Sequence, residues 1–203
     1  MPSGELTSKG RQTRQAIEQA ARKLFAERGF HGTTLADITS AAGKSPAVFY
    51  RYFADKEDLL AALAESFLHE VVAPSGLSVR LPESPDDDAF FTSVVTGYWN
   101  IFKQNIGIMI AVAQLGATQQ RFAAVQNEFR RFGMDIVAAS VRRAQEQGYG
   151  AELNPEHIAA AIALLFENFT TVVVGPSGLG LEVSDQEAIA TLSTVWKKTL
   201  YGA

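Results

Sequence analysis

The run Thr34-Leu-Ala-Asp-Ile-Thr-Ser-Ala-Ala-Gly-Lys-Ser-Pro-Ala-Val-Phe-Tyr-Arg-Tyr-Phe-Ala-Asp-Lys-Glu-Asp58 constrains the fold more than any other part of the chain. Thr34 is placed to cap a short helix, with Asp37 three residues on as a capping-box partner and Leu35, Ile38 and Ala41 or Ala42 facing inward. Gly43 breaks that helix, and Ser45 can cap the next, where Pro46 at the first position loses no hydrogen bond. Asp55 then caps a longer helix with Leu59, Leu60, Leu63 and Phe67 on one face. Two short helices around a glycine turn are the frame of a helix-turn-helix, which stands one helix proud for a DNA groove.

Before this run, Ile17, Ala20, Ala21, Leu24 and Phe25 fall on one stripe of a helix from about Gly10 to Arg28, which Gly29 ends; residues 1–8 read as a frayed start. After it, residues 73–85, with Pro74, Gly76, Pro82 and Pro85, form the clearest linker. Helices are then predicted from about Asp86 to Gln104, Ile106 to Leu115 and Thr118 to Gln147, the last ended by Gly148 and Gly150. Asn154-Pro155 opens another to Val174, Gly175–Gly180 reads as a loop, and Ser184 with Glu187 forms a capping box opening the last, to Leu200. No alternating strand pattern survives, so the expectation is an all-α chain of about nine helices. It divides into a helix-turn-helix domain over 1–56 and a larger helical domain over 57–203.

Composition limits what such a chain can do. Cysteine is absent, which excludes thiol catalysis and a disulfide framework and fits a reducing cytoplasm. Apolar stretches are broken by Asn, Glu, Gln or Gly before reaching membrane-span length, so no membrane partner is expected. The net charge of −4 hides an asymmetry: residues 1–60 carry nine basic and seven acidic side chains, and the remainder nine and fifteen. A mildly basic head on an acidic body suits a small DNA footprint with a separate sensing part.

In the reading segment, Phe49 and Phe53 are spaced to bury, leaving Pro46, Ala47, Val48, Tyr50 and Arg51 outward or at the edge. Tyr50, Tyr52 and Lys56 carry donors suited to phosphate oxygens, and Arg51 could meet a base, a phosphate or solvent. A helical hairpin with aromatics serving only as core is the plain alternative. The longer string weighs against it: Ile17, Ala21, Leu24-Phe25, Gly29-Phe30, Thr33-Thr34, Ile38, Ala42-Gly43, Ser45, Phe49-Tyr50-Arg51-Tyr52-Phe53, Lys56-Glu57 and Leu59-Leu60. This string resembles the N-terminal domain of TetR-family transcriptional regulators.

The resemblance implies a three-helix DNA-binding head, a helical ligand-binding body and a homodimer. It implies backbone contacts for Thr34, Ser45, Tyr50, Tyr52 and Lys56, and base-edge contacts for Pro46, Ala47 and Val48. Two departures stand out. Lys44 replaces a small apolar residue, placing an extra cation at the groove, and Pro46-Ala47-Val48 replaces a more polar reading surface. Ala and Val can touch thymine methyls but cannot form the bidentate pairs that distinguish purines.

In the body, the aromatics and methionines between Ala89 and Met134 serve either core or cavity. Candidate effector contacts are Phe91, Tyr98, Trp99, Phe102, Met109, Phe129 and Phe132, with Glu167 and Asn168 as polar residues that either sit at an edge or orient a ligand. The resemblance makes the last two long helices the dimer surface, with Ala160, Leu164, Val172, Leu192, Val195 and Trp196 as candidates against the alternative that they bury within one chain. His31, His69 and His157 lack metal-ligand spacing, and there is no phosphate loop or Gly-x-Ser-x-Gly signature. No enzyme activity, metal or cofactor is expected. The reading is a dimeric repressor released from a palindromic operator by a small, largely apolar effector; the alternative is a helical interaction or small-molecule-binding protein without DNA-binding activity.

Overall fold

The computed structural model describes residues 7–72, 80–175 and 180–202, with the side chains of Val71 and Val72 excepted. The described residues form nine α-helices and no strand: α1 Ser8–Arg28, α2 Leu35–Ala41, α3 Pro46–Phe49, α4 Lys56–Val72, α5 Asp88–Gln104, α6 Ile106–Gly116, α7 Gln120–Glu146, α8 Pro155–Val174 and α9 Asp185–Tyr201. Of the expected frayed start, residues 1–6 lie outside the described residues, as do 73–79 of the linker and 176–179 of the late loop. Ser8 is already helical, capped by Thr7, whose hydroxyl accepts from Gly10 N–H.

The chain packs as two compact units, Met1–Phe67 with Gly107–Ala123, and Leu68–Ile106 with Ala124–Ala203. The first unit therefore reaches beyond the boundary at residue 56 drawn from sequence and takes in α6. Its core is the α1 stripe Ile17, Ala21, Leu24 and Phe25, closed by Ile38, Phe49, Phe53 and Leu59. Gly29 and Gly43 have φ of 71° and 62°, left-handed values that explain why glycine follows α1 and α2. Gly107 has a different reason. A Cβ there would lie 2.5 Å from the backbone nitrogen of Ala26, so only glycine lets α6 approach α1 this closely. At the start of α4, Asp55 accepts from Asp58 N–H while Asp58 accepts from Ala54 N–H. Glu57, in the same turn, accepts from the Gln119 amide at 3.0 Å and from Arg121 at 3.4 Å.

The second unit centres on the α5–α9 pair. Phe90 and Phe91 stack edge-on against Trp196, which is 1% exposed and donates its indole N–H to Ser140 Oγ at 3.2 Å. Val137, Val141 and Ala144 of α7 and Ala159, Ile162 and Phe166 of α8 complete this core. Asp87 caps α5, and the Arg80 guanidinium bound to it at 2.7 and 2.9 Å holds its carboxyl well below the usual range, at about 2. The acidic run at the α5 start is thus a cap and ion-pair site. Contrary to expectation, α8 is by length and composition long and apolar enough to cross a membrane. Its Ala159, Ile162, Phe166 and Thr170 are nonetheless buried in this unit.

Candidate nucleic-acid interface and effector cavity

Helix α3 is four residues long and holds on through Phe49, which is fully buried, while Phe53 just beyond it is 3% exposed. Ser45, Pro46, Ala47, Tyr50 and Arg51 are exposed, Tyr50 by 60%, and Lys44, Val48 and Tyr52 are half-buried. The segment thus presents one continuous outer surface over a core anchor. Ser45 occupies the cap position of α3 without its side chain making a capping bond, contrary to expectation, so its hydroxyl is not committed to the helix. The Arg51 guanidinium lies 6.0 Å from the Tyr52 ring centre.

Two of the expected backbone contacts are otherwise engaged. The Thr34 hydroxyl donates to Asp37 Oδ2 at 2.6 Å and its backbone N–H donates to the same oxygen at 2.8 Å. Those bonds hold the Asp37 carboxyl below its ordinary range and leave Thr34 with no donor for a phosphate in this state. Lys56 Nζ donates to the carbonyls of Phe30 and Thr33, each at 2.7 Å, and sits 4.2 Å from the Phe30 ring centre. Burial pushes this amine below its ordinary value. Lys56 ties the α1–α2 turn to α4 and keeps one proton for an outside acceptor.

In the second unit, α5, α7, α8 and α9 enclose a half-open cavity of about 340 Å³, within the range of small-molecule sites. Of the candidate effector contacts, Tyr98, Phe129, Phe132 and Glu167 line it. Phe91, Trp99 and Phe102 do not line it, and each is buried in core packing at about 1% exposure. Met109 belongs to the first unit, on α6, and Asn168 is exposed, its amide donating to Leu164 O. Lining residues that sequence reasoning missed include Gly97, Arg130, Gly133 and the wall formed by Ile162, Phe166 and Trp196.

The cavity's charged residues are one pair. Arg130 Nε and Nη2 donate to Glu167 Oε2 and Oε1 at 2.6 and 2.8 Å, and the Gln126 amide adds a bond to Oε1 at 2.9 Å. Nearby, the Tyr98 hydroxyl reaches Thr170 Oγ1 at 3.2 Å, and burial pushes its ionisation far upward, so it stays protonated. Among the described residues, no group of three His, Cys, Asp or Glu side chains is placed to hold a metal.

The dimer candidates separate into two sets. Leu192 and Trp196 are 0% and 1% exposed inside the subunit core, so neither can form an outer face. Aromatics of α5, distant in sequence, cover this side of α9 at Trp196. Ala160, Val172 and Val195 are half-buried, and Leu164 is 43% exposed. Leu165 beside it is 41% exposed, and with Ala161 and Asn168 these leucines form one exposed stripe of α8.

Comparison with known proteins covers both parts. Residues 17–63 match the family described as "Bacterial regulatory proteins, tetR family". The HTH-type transcriptional regulator EthR of Mycobacterium tuberculosis is 27% identical over 209 aligned residues, spanning all of this chain and 94% of that protein. The HTH-type transcriptional repressor AcnR of Corynebacterium glutamicum is 41% identical over 68 residues, 32% of this chain and 36% of its own. Among solved structures, a tetR-family regulatory protein from Rhodococcus RHA1 superposes with a TM-score of 0.70 at 21% identity, over 96% of this chain and 98% of the other. Salmonella enterica GusR gives 0.65 at 23%, over 97% and 99%. The head pattern, the full-length likeness to a regulator and the shared all-helical architecture lead to one conclusion: residues 17–63 carry the N-terminal domain of the tetR family, and the chain as a whole is similar to bacterial regulators of that family in sequence and fold.

Proposed function

We propose that this protein is a dimeric, ligand-responsive repressor that leaves a near-palindromic operator when a small, largely apolar molecule enters the cavity. The observation that carries this reading is the outer surface of α3, exposed from Ser45 to Ala47 and at Tyr50 and Arg51 over the buried Phe49. The names of the relatives, a regulator and a repressor, support it. Pro46, Ala47 and Val48 read thymine methyls, while Ser45, Tyr50, Tyr52, Arg51 and Lys44 bind phosphates and set the register. Lys56 contributes its one remaining proton, and Thr34 joins only after releasing Asp37. The effector acts because it prefers one arrangement of the body over the other. Helix α4 leads out of the head, and Glu57 at its start is bonded to Gln119 and Arg121 beside the start of α7. Helix α7 runs unbroken from Gln120 to Glu146 and carries Phe129, Arg130 and Phe132 at the cavity. A ligand that displaces α7 thereby shifts α4 and takes the two heads out of register.

Selection of bound sequences from random duplex DNA tests the reading. The expected product is an inverted repeat with half-site centres one helical turn apart, or a multiple of it, roughly 34–36 Å per turn. Replacing contacted thymines by uracil should weaken binding. Recovery of no enriched sequence would favour the helical protein without DNA-binding activity, and indifference to uracil would remove the methyl readout.

A further inference from the structure

Two glycines in the cavity wall have no conformational explanation. Gly97 lies inside α5 and Gly133 inside α7, and neither has a positive φ. Nor does either allow a close helix approach: a Cβ built on each meets nothing within 4 Å. This contrasts with Gly107, where a Cβ would strike the α1 backbone. Helix interiors disfavour glycine relative to alanine, so two such positions opening onto the same cavity are a device that keeps space empty.

The charge arrangement decides what fills that space. Arg130 and Glu167 close on one another in a fork-to-fork pair, and Gln126 takes a further site on the carboxylate. The pair is net neutral, and its side chains are only 30% and 16% exposed. A carboxylate entering the cavity would meet Glu167 as a like charge, and the Arg130 charge it would seek is already neutralised by the fork. A cation would face the reverse conflict. An uncharged amide, ester or alcohol avoids both, because the pair retains donor and acceptor capacity toward it. The rest of the wall is hydrocarbon and aromatic, apart from the protonated Tyr98.

We propose that the effector is an uncharged, largely hydrocarbon molecule lying against Gly97 and Gly133, its single polar group at the Arg130–Glu167 pair. The proposal rests on the reading of this cavity as the effector site. Its test uses decanamide and decanoate, two probes of equal length that differ in charge at neutral pH, titrated calorimetrically into the full-length protein. The wild type should bind the amide at least about tenfold more tightly, since an ion loses more hydration than the occupied pair returns. Glu167→Gln leaves Arg130 unopposed and should narrow or reverse that preference. Gly97→Ala and Gly133→Ala should each weaken the amide several-fold while thermal unfolding shows an intact fold. Equal or tighter decanoate binding by the wild type overturns the neutral class but leaves the cavity as a ligand site. Unchanged amide affinity in both alanine variants overturns the seat on the glycines. Binding of neither probe removes the cavity as a hydrocarbon site, and with it the reading beneath the proposal.

Discussion

Lys56 shows how a residue's chemistry can be legible while its partner is not. Its position in the sequence string points to phosphate, and a lysine at the start of a helix favours the same assignment. Only the fold brings the Phe30 and Thr33 carbonyls within 2.7 Å of its ammonium, because those residues lie 26 and 23 positions earlier in the chain. Lys56→Met removes both bonds and keeps the hydrocarbon stem, and should cost about 1–3 kcal/mol of folding stability by denaturant titration. Its effect on the salt dependence of operator binding should be small. A full phosphate contact contributes about 0.9 to the slope of log affinity against log salt, and one spare proton on a committed amine contributes less. A variant of wild-type stability whose slope falls by the full amount would return Lys56 to the phosphate role. The same long-range blindness explains Arg130: flanked by Phe129 and Arg131 it reads as surface charge, and nothing nearby in sequence announces Glu167, 37 residues on.

The elements themselves are far more legible than their partners. Caps and stops carry local chemistry, so Thr34 with Asp37, Pro46, Asn154 before Pro155, and Ser184 with Glu187 all mark real helix starts. Which face of a helix turns inward is a tertiary property. On α9, Leu192 and Trp196 read as an apolar outer stripe, yet Phe90 and Phe91 of α5 lie against the latter and both residues are core. Glycines inside helices are equally silent in sequence, yet their substitutions should differ in sign. Gly107→Ala forces a Cβ to within 2.5 Å of the Ala26 backbone and should destabilise the fold by about 1–3 kcal/mol. Gly133→Ala meets no atom within 4 Å, so it should gain roughly 0.8–1 kcal/mol from helix propensity. Measured as thermal midpoints, that gain is a rise of about 2–4 °C for a chain of this size, against a clear fall for Gly107→Ala. Two shifts of the same sign would contradict the separation of a packing glycine from a space-keeping one.

At the scale of the whole molecule, the exposed stripe of α8 connects assembly to recognition. Leu164 and Leu165 are 43% and 41% exposed on a helix whose opposite face is core, and they adjoin Ala161 on the same side. Such a surface is what a second copy of the chain would cover, and two-fold pairing places identical reading segments on the two halves of an inverted repeat. The head's slight positive excess, nine basic against seven acidic side chains in residues 1–60, makes a single head a weak DNA ligand. Under the proposed function, operator affinity comes largely from linking two heads. Leu164→Glu with Leu165→Glu places charge on the stripe without touching the buried Ile162 and Phe166, so the fold should persist while sedimentation shows a monomer. Full-operator affinity should fall by about 10²–10⁴-fold, the usual gain from joining two weak sites, while affinity for an isolated half-site stays unchanged. A variant that sediments as a dimer would move the interface off this stripe. A monomeric variant that grips the full operator as tightly as the wild type would show that a single head suffices.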